Sequence, residues 1–120
     1  MAMTFSIEDR PVDDETHIVA VAGEIDLFTA PEFKQRVSAP IDAGRTHVIV
    51  DLAETTFIDS SSLGVMIGAH RRLLRLDGSL VIVCENDAIV KTFRITGLDS
   101  VFTLVRTLDE ALNGNPVGAG

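Results

Sequence analysis

Hydrophobic positions along the chain follow two spacings, and the change from one to the other predicts alternating strands and helices. Short apolar runs with polar residues at both ends predict strands at residues 5–9, 17–26, 48–50, 79–85 and 101–107. Apolar residues three or four positions apart predict helices that begin near residues 30, 60, 87 and 108. The predicted order is therefore ββαβαβαβα. Because strands alternate with helices, we expect an α/β fold whose mixed, mostly parallel sheet packs against the helices.

Turn and capping residues predict how the first elements connect. Residues 10–16 are rich in turn formers, so the first two strands are expected to form a hairpin. Thr29 and Glu32 have the spacing of a capping box, in which each side chain bonds the other's backbone amide. The first helix is expected to end near residues 37–39, because Pro40 would break it.

The last elements indicate where the domain ends. Thr107 and Glu110 repeat the capping-box spacing before a short final helix. The sequence predicts a single domain over residues 1–112 and a flexible tail over residues 113–120, since no linker or internal repeat is visible.

The second helix separates into two sides when residues 60–77 are projected at about 100° per residue. One side is expected to pack on the sheet: Leu63, Met66, Ile67, Leu73 and Leu74. The border of this apolar side holds Val65, Ala69 and Leu76. The opposite side, called here the outer stripe, consists of Ser61, Gly64, Gly68, Arg71, Arg72 and Arg75.

The outer stripe has two interpretations. Each glycine costs a helix interior about 1 kcal/mol relative to alanine, so Gly64 and Gly68 indicate close approach by a partner's backbone, or relief of crowding within the fold. The arginines would contact a partner, or they would form a solvated face that suits the negative end of the helix.

Three consecutive serines open the same helix and raise three possibilities: helix caps, a nucleophile or a phosphate acceptor. Asp59 or Ser60 is the expected N-cap. Catalysis is disfavoured because Ser61 and His70 lie nine residues apart, about 13 Å along one helix, and face different directions. One cysteine and three scattered histidines lack metal-ligand spacing, so we expect no catalytic residue, metal or cofactor.

Composition limits the partners and the compartment. A net charge of −8 argues against binding nucleic acid or an anionic membrane surface, and it permits a protein partner with a basic patch. Cys84 is the single cysteine, and its place in an apolar run predicts a core residue. Because one cysteine cannot form an intramolecular disulfide, a reducing cytoplasm is expected. No signal peptide or membrane span is visible, so a cytoplasmic location is expected.

Phosphorylation of a serine at this helix start is physically reasonable. The first amides of a helix are free and its dipole is positive there, so a phosphate with about −1.5 to −2 charges would be tolerated. The modification is therefore expected to act at the surface, by blocking or repelling a partner. Asp59 and Asp26 would add negative charge nearby.

Three separated motifs resemble the STAS-domain anti-sigma-factor antagonist family, in order and at the proper spacing. They are GEIDLFTAPEF from Gly23, FIDSSSLGVMIGAHRRL from Phe57 and FRITGLDSVFTLVRTLDEAL from Phe93. The resemblance implies a STAS-type domain that acts as a switch protein and not as an enzyme. It implies binding to an anti-sigma factor that is also a serine kinase, release of a sigma factor, inactivation by phosphorylation, and reset by a phosphatase.

The resemblance also implies residue roles. The phosphoacceptor falls on Ser61, with Ser60 and Ser62 as alternatives, and Ser62 stands where the family usually has glycine. Asp26 matches an acidic residue near the acceptor. The expected partner surface comprises Asp26, Phe28, Thr29, Asp59, Ser60, Ser62, Gly64, Val65, Gly68, Arg71 and Arg72. The alternative, favoured by Ser62, is a STAS module that is never phosphorylated and binds a nucleotide or other ligand near the serines.

Overall fold

The computed structural model describes residues 5–113, and these residues have the predicted order of strands and helices. One turn of 3₁₀ helix at Leu98–Ser100 was not predicted. The bounds are β1 Ser6–Pro11, β2 Thr16–Ile25, α1 Ala30–Asp42, β3 His47–Ile58, α2 Ser60–Arg75, β4 Ser79–Val83, α3 Asp87–Ile95, β5 Thr103–Val105 and α4 Leu108–Asn113.

The sheet confirms the mixed, mostly parallel α/β prediction. Its strand order is β1-β2-β3-β4-β5; β1 runs antiparallel to β2 as the predicted hairpin, and the other neighbours are parallel. The pairing of β3 with β4 stops at Asp51 and Val83, whereas its pairing with β2 continues to Ile25 and Ile58. The expected strand at residues 48–50 is therefore only the centre of a 12-residue strand.

The hydrophobic core lies mainly on one face of this sheet. Phe33 of α1, Met66 of α2 and Phe93 of α3 are fully buried in one cluster with the inward residues of the strands. On the opposite face a smaller cluster packs against α4 through Leu108 and Ala111. Three helices therefore cover one face, and the six-residue α4 covers part of the other. Among residues 5–113, no helix is long and apolar enough to cross a membrane.

The end of α1 differs from the prediction. The helix continues through Pro40 to Asp42, and Pro40 and Ile41 are buried against the core. Proline removes one backbone hydrogen bond, but this close to the helix end the packing of the last turn offsets that loss. The carbonyl of Pro40 still accepts a bond from Arg45, which closes the turn.

The apolar side of α2 is mostly as projected, with one error. Leu63, Met66 and Leu73 are buried, and so is Ala69, which the projection had placed at the border. The prediction that Leu74 packs on the sheet is wrong, because this residue is 56% exposed. Leu74 lies about 80° around the helix from Met66. The buried side of α2 is centred closer to Ala69 than the projection indicated, so Leu74 lies outside it.

Gly78 ends α2 as predicted, and the structure gives a steric reason. Its amide donates to the carbonyl of Leu73, and Asp77 before it has a φ of +56°. A Cβ on Gly78 would lie 1.9 Å from the carbonyl oxygen of Thr46, the residue before β3, so only glycine fits at this position. The tail predicted for residues 113–120 lies outside the described residues except for Asn113, which ends α4.

Candidate functional site

The ends of β2 and β3 bring two predicted site residues to one edge of the sheet. Ile25 and Ile58 are the last paired residues of these parallel strands, and Asp26 and Asp59 follow them directly. The 26–29 loop and the start of α2 therefore lie at the carboxyl edge of the sheet, where open α/β sheets commonly bind their ligands.

Asp59 is the N-cap of α2. Its carboxylate Oδ1 accepts hydrogen bonds from the amides of Ser61 at 3.0 Å and Ser62 at 3.2 Å, and from the hydroxyl of Ser61 at 2.5 Å. The Ser61 hydroxyl bond is the largest cause that lowers the Asp59 pKa; burial opposes it, and the amide bonds add to it. No charged side chain contributes. Asp59 therefore remains ionised and satisfies two amides that the helix leaves free.

Ser62 completes this cap from the other side. Its hydroxyl accepts from the Asp59 amide at 3.0 Å and donates to the Asp59 carbonyl at 2.7 Å, and the residue is fully buried. Asp59 and Ser62 thus form a capping box in which serine replaces the usual glutamate or glutamine. The hydroxyl at position 62 is committed to the backbone and closed to solvent.

The other two serines face outward to different degrees. Ser60 is exposed and occupies the first helical position, so the alternative that Ser60 caps α2 is wrong; the carboxylate of Asp59 reaches the free amides instead. Ser61 is half-exposed, and its hydroxyl is held by Asp59. The three adjacent hydroxyls therefore occupy three distinct environments.

The 26–29 loop is closed by its own polar groups. Thr29 accepts from the Asp26 amide at 2.8 Å and donates to the Glu24 carbonyl at 3.1 Å. The Asp26 carboxylate accepts from the amides of Phe28 and Thr29. The predicted capping box of Thr29 with Glu32 is wrong, because the Thr29 hydroxyl is used inside this loop and makes no bond to the helix.

The glycines of the outer stripe are exposed, and nothing in the fold requires them. A Cβ built on Gly64 or Gly68 would meet no atom within 4 Å outside the helix's own backbone. Relief of crowding among residues 5–113 is therefore not the reason for either glycine. A helix with two such positions carries a cost that packing within the domain does not explain.

The rest of the predicted partner surface is mixed. Val65 is half-buried and packs against the core, whereas Arg71 is exposed. Arg72 is half-exposed, and its guanidinium pairs with Asp42 of α1 at 2.6 Å. Arg72 is thus already held by this chain, and Arg71 is the less constrained cation.

Leu27 and Phe57 are exposed apolar residues at the same edge that were not among the predicted site residues. Leu27 is 70% exposed and Phe57 is 47% exposed. Phe28, which was predicted, follows Leu27 and is 87% exposed. Phe57 and Ile58 are adjacent at the end of β3, yet only Ile58 is buried. The two-residue period of a strand carries the missing signal, since a buried Ile58 turns Phe57 outward.

The structure offers no catalytic arrangement around the serines. His70 is half-buried, and its ring packs edge-on against Phe102 with 5.5 Å between centroids. Ser61 bonds Asp59 instead. Burial raises the pKa of the Cys84 thiol to about 11, which suits a core residue. Within the described range of 5–113, no group of three or more His, Cys, Asp or Glu could hold a metal ion.

Known proteins resemble this chain in sequence over nearly its whole length. The model of the STAS domain family matches residues 9–111. The anti-sigma-B factor antagonist of Listeria monocytogenes is 33% identical over 113 residues, which is 94% of this chain and 98% of the relative. The name of this relative describes a regulatory role, in agreement with the prediction of a switch protein.

Solved structures are also similar. An anti-sigma factor antagonist from Mycobacterium paratuberculosis has a TM-score of 0.78 and 32% identity, with 92% of each chain covered. The Bacillus cell fate determinant SpoIIAA in its phosphorylated form has a TM-score of 0.71 and 25% identity, with 90% of this chain and 97% of that chain covered.

Proposed function

Because the chain belongs to the STAS domain family, we propose that it is an anti-sigma factor antagonist that is controlled at Ser61. The unphosphorylated protein binds an anti-sigma factor with serine kinase activity in the cytoplasm and thereby frees a sigma factor. The kinase then transfers a phosphoryl group from ATP to the Ser61 oxygen, with loss of the hydroxyl proton, and binding ends. A phosphatase restores the hydroxyl.

The environments of the three serines support Ser61 as the acceptor. Ser62 is fully buried, with both its donor and its acceptor function used on Asp59, so a kinase cannot reach its hydroxyl without opening the helix start. Ser60 is exposed but precedes the outer stripe. The hydroxyl of Ser61 lies at the head of that stripe, beside the first amides of α2, where an anion is favourable.

The observation that carries the proposal is the open space over Gly64 and Gly68. Helical glycines that the fold does not need are explained when a partner's backbone lies against them. The exposed Phe28 lies on the loop at the same edge of the sheet as the start of α2, and it would fill an apolar pocket of that partner. Phosphate on Ser61 would then add negative charge at the edge of the contact and repel the partner.

A graded series at Gly68 tests the binding surface. Gly68→Ala adds one methyl group, and Gly68→Gln adds a long side chain at the same point. Both variants should fold at least as stably as the wild type, since the space is open and glycine is a poor helix former. Affinity for the organism's anti-sigma kinase, measured by calorimetry, should fall slightly for alanine and by more than about tenfold for glutamine. Unchanged affinity of Gly68→Gln would remove α2 from the contact.

Phosphosite mapping tests the acceptor. The protein is isolated from its own cells as wild type and as Ser60→Ala, Ser61→Ala and Ser62→Ala, and intact masses are compared. Only Ser61→Ala should lose the added phosphate. Phosphate that persists in Ser61→Ala assigns the switch to another residue. A wild-type protein that is never phosphorylated, in cells or with kinase and ATP, would indicate the non-phosphorylated module instead.

The structure does not strengthen that alternative. Ser62, the residue that favoured a ligand near the serines, points its hydroxyl into the cap and offers no group to a ligand. Three surface grooves formed by residues 5–113 lie elsewhere, and none of them is lined by Ser60, Ser61 or Ser62.

A further inference from the structure

The helix start holds Asp59 by two separate links, and only one of them involves Ser61. The first link is the Asp59 carboxylate, which shares a single oxygen among the Ser61 hydroxyl and the amides of Ser61 and Ser62. The second link is the buried Ser62 hydroxyl, which bonds the Asp59 amide and carbonyl. A phosphate at position 61 would act on the first link and leave the second unchanged.

A phosphate on Ser61 would act directly on the first link. It removes the hydroxyl hydrogen that now bonds Asp59, and it places about two negative charges within a few ångströms of a carboxylate. Both anions compete for the amides of Ser61 and Ser62 at the positive end of α2, which Asp59 now holds. The phosphate carries the larger charge and three acceptor oxygens, so it should displace the carboxylate.

The second link is insensitive to this competition. The Ser62 hydroxyl is neutral, its partners are backbone atoms of Asp59, and the residue is fully buried. It makes no hydrogen bond to Ser61. This link would keep the entry of α2 in place while the carboxylate leaves.

We propose that phosphorylation exchanges the cap of α2: phosphate on Ser61 takes the amides from the Asp59 carboxylate, which turns to solvent, while Ser62 keeps the helix start folded. This inference rests on the proposed switch at Ser61 and adds its physical mode of action. The partner surface would gain the phosphate charge together with a displaced carboxylate. The helix itself would not unfold, so the switch would be read as charge and shape at the edge of the outer stripe.

The test installs phosphoserine at position 61 during synthesis, so it does not depend on any kinase. In the unphosphorylated protein the carboxyl carbon of Asp59, followed by NMR against pH, should report a lowered pKa. With phosphoserine the Asp59 pKa should rise, and the amides of Ser61 and Ser62 should titrate with the phosphate near pH 6. Asp13 is the internal control, because its carboxylate also accepts two amides and its pKa is lowered far from this helix.

The role of Ser62 is tested by Ser62→Gly and Ser62→Ala in both phosphorylation states. In the unphosphorylated protein the carboxylate still caps α2, so the unfolding equilibrium should shift by only about fivefold. In the phosphoserine protein the remaining link is lost, and the shift should be clearly larger for both variants. Equal shifts in the two states would overturn the role of Ser62.

The NMR result decides the exchange itself. If the Asp59 pKa stays lowered with phosphoserine present, and the two amides follow Asp59, the carboxylate has not moved and the exchange is wrong. That outcome leaves the proposed function untouched, since a kinase could still act on Ser61. Conversely, a chain whose Ser61 is never phosphorylated in cells would refute the proposed function even if the installed phosphate exchanges the cap.

Discussion

The same substitution at two glycines should change stability in opposite directions. At Gly78 an alanine Cβ would lie 1.9 Å from the Thr46 carbonyl oxygen, and ordinary contact begins at 3.4 Å, so the backbones must separate by about 1.5 Å. The Thr46 oxygen also accepts the amide of Ser79 at 2.9 Å, next to the first ladder pair of β3 and β4. That bond would be lost. A lost backbone bond of about 1 kcal/mol and strain of about 2 kcal/mol together lower the free energy of unfolding by about 3 kcal/mol.

Gly68→Ala is the matched control. The added methyl group meets no neighbour, and alanine is favoured over glycine in a helix, so the free energy of unfolding should rise by about 1 kcal/mol. Urea unfolding followed by circular dichroism measures both variants. For Gly78→Ala the midpoint should fall by about 1.5 M. The steric argument is refuted if Gly78→Ala unfolds within about 0.5 kcal/mol of the wild type, or if Gly68→Ala loses as much.

Three further predictions follow from the same contacts. Asp59→Ala should lower the free energy of unfolding by about 1 kcal/mol in urea, because two amides lose their cap. A variant that unfolds within about 0.3 kcal/mol of the wild type would contradict this role. For Asp9, burial raises the pKa, but hydrogen bonds from His17 and Arg36 outweigh it and lower the pKa overall. The stability from Asp9 should therefore be present above about pH 4 and lost as pH falls through the lowered pKa, so Asp9→Asn and wild type should converge in acid. Cys84 should react with a thiol reagent at pH 8 only when urea unfolds the chain; fast reaction in the folded state would place it outside the core.

The order of elements was predictable because each element carries its own local signal. Asp59 and Ser60 precede a helical apolar period, and Asp59, one of these two expected caps, caps that helix. The repeated spacing of Thr107 and Glu110 also forms the bonds of a capping box. These predictions depend only on neighbours along the chain, and such neighbours cannot be far apart in the fold.

The errors arose where a second partner competed. Thr29 has the spacing of a cap, but the amide of Asp26 lies equally near along the chain and takes its hydroxyl. The buried position of Ser62 has the spacing of a reciprocal cap with Asp59, a signal that is weak for serine because glutamate and glutamine usually fill that role. Neither outcome can be read from spacing alone, since both depend on which bond the folded backbone permits.

The length of β3 was hidden for a different reason. A strand that is paired on both sides reads as a continuous apolar run, and residues 48–50 do so. Beyond Asp51 the strand has only β2 beside it, and exposed polar residues interrupt the pattern. The sequence signal weakens where one neighbour is missing, although the strand continues to Ile58.

Because β3 continues beyond its pairing with β4, the last part of β3 and the neighbouring β2 form a projecting two-stranded segment. β3 continues for seven residues past its last pair with β4, a length of about 23 Å, and the serines follow its last residue. The described chain is correspondingly long, at 41 Å against 27 and 23 Å. The proposed kinase could therefore enclose the end of β3 and the serines in a recessed active site without contacting β4 or β5 at the other edge of the sheet. A fluorescent label on α4, which lies on the opposite face, would report binding without standing in its way.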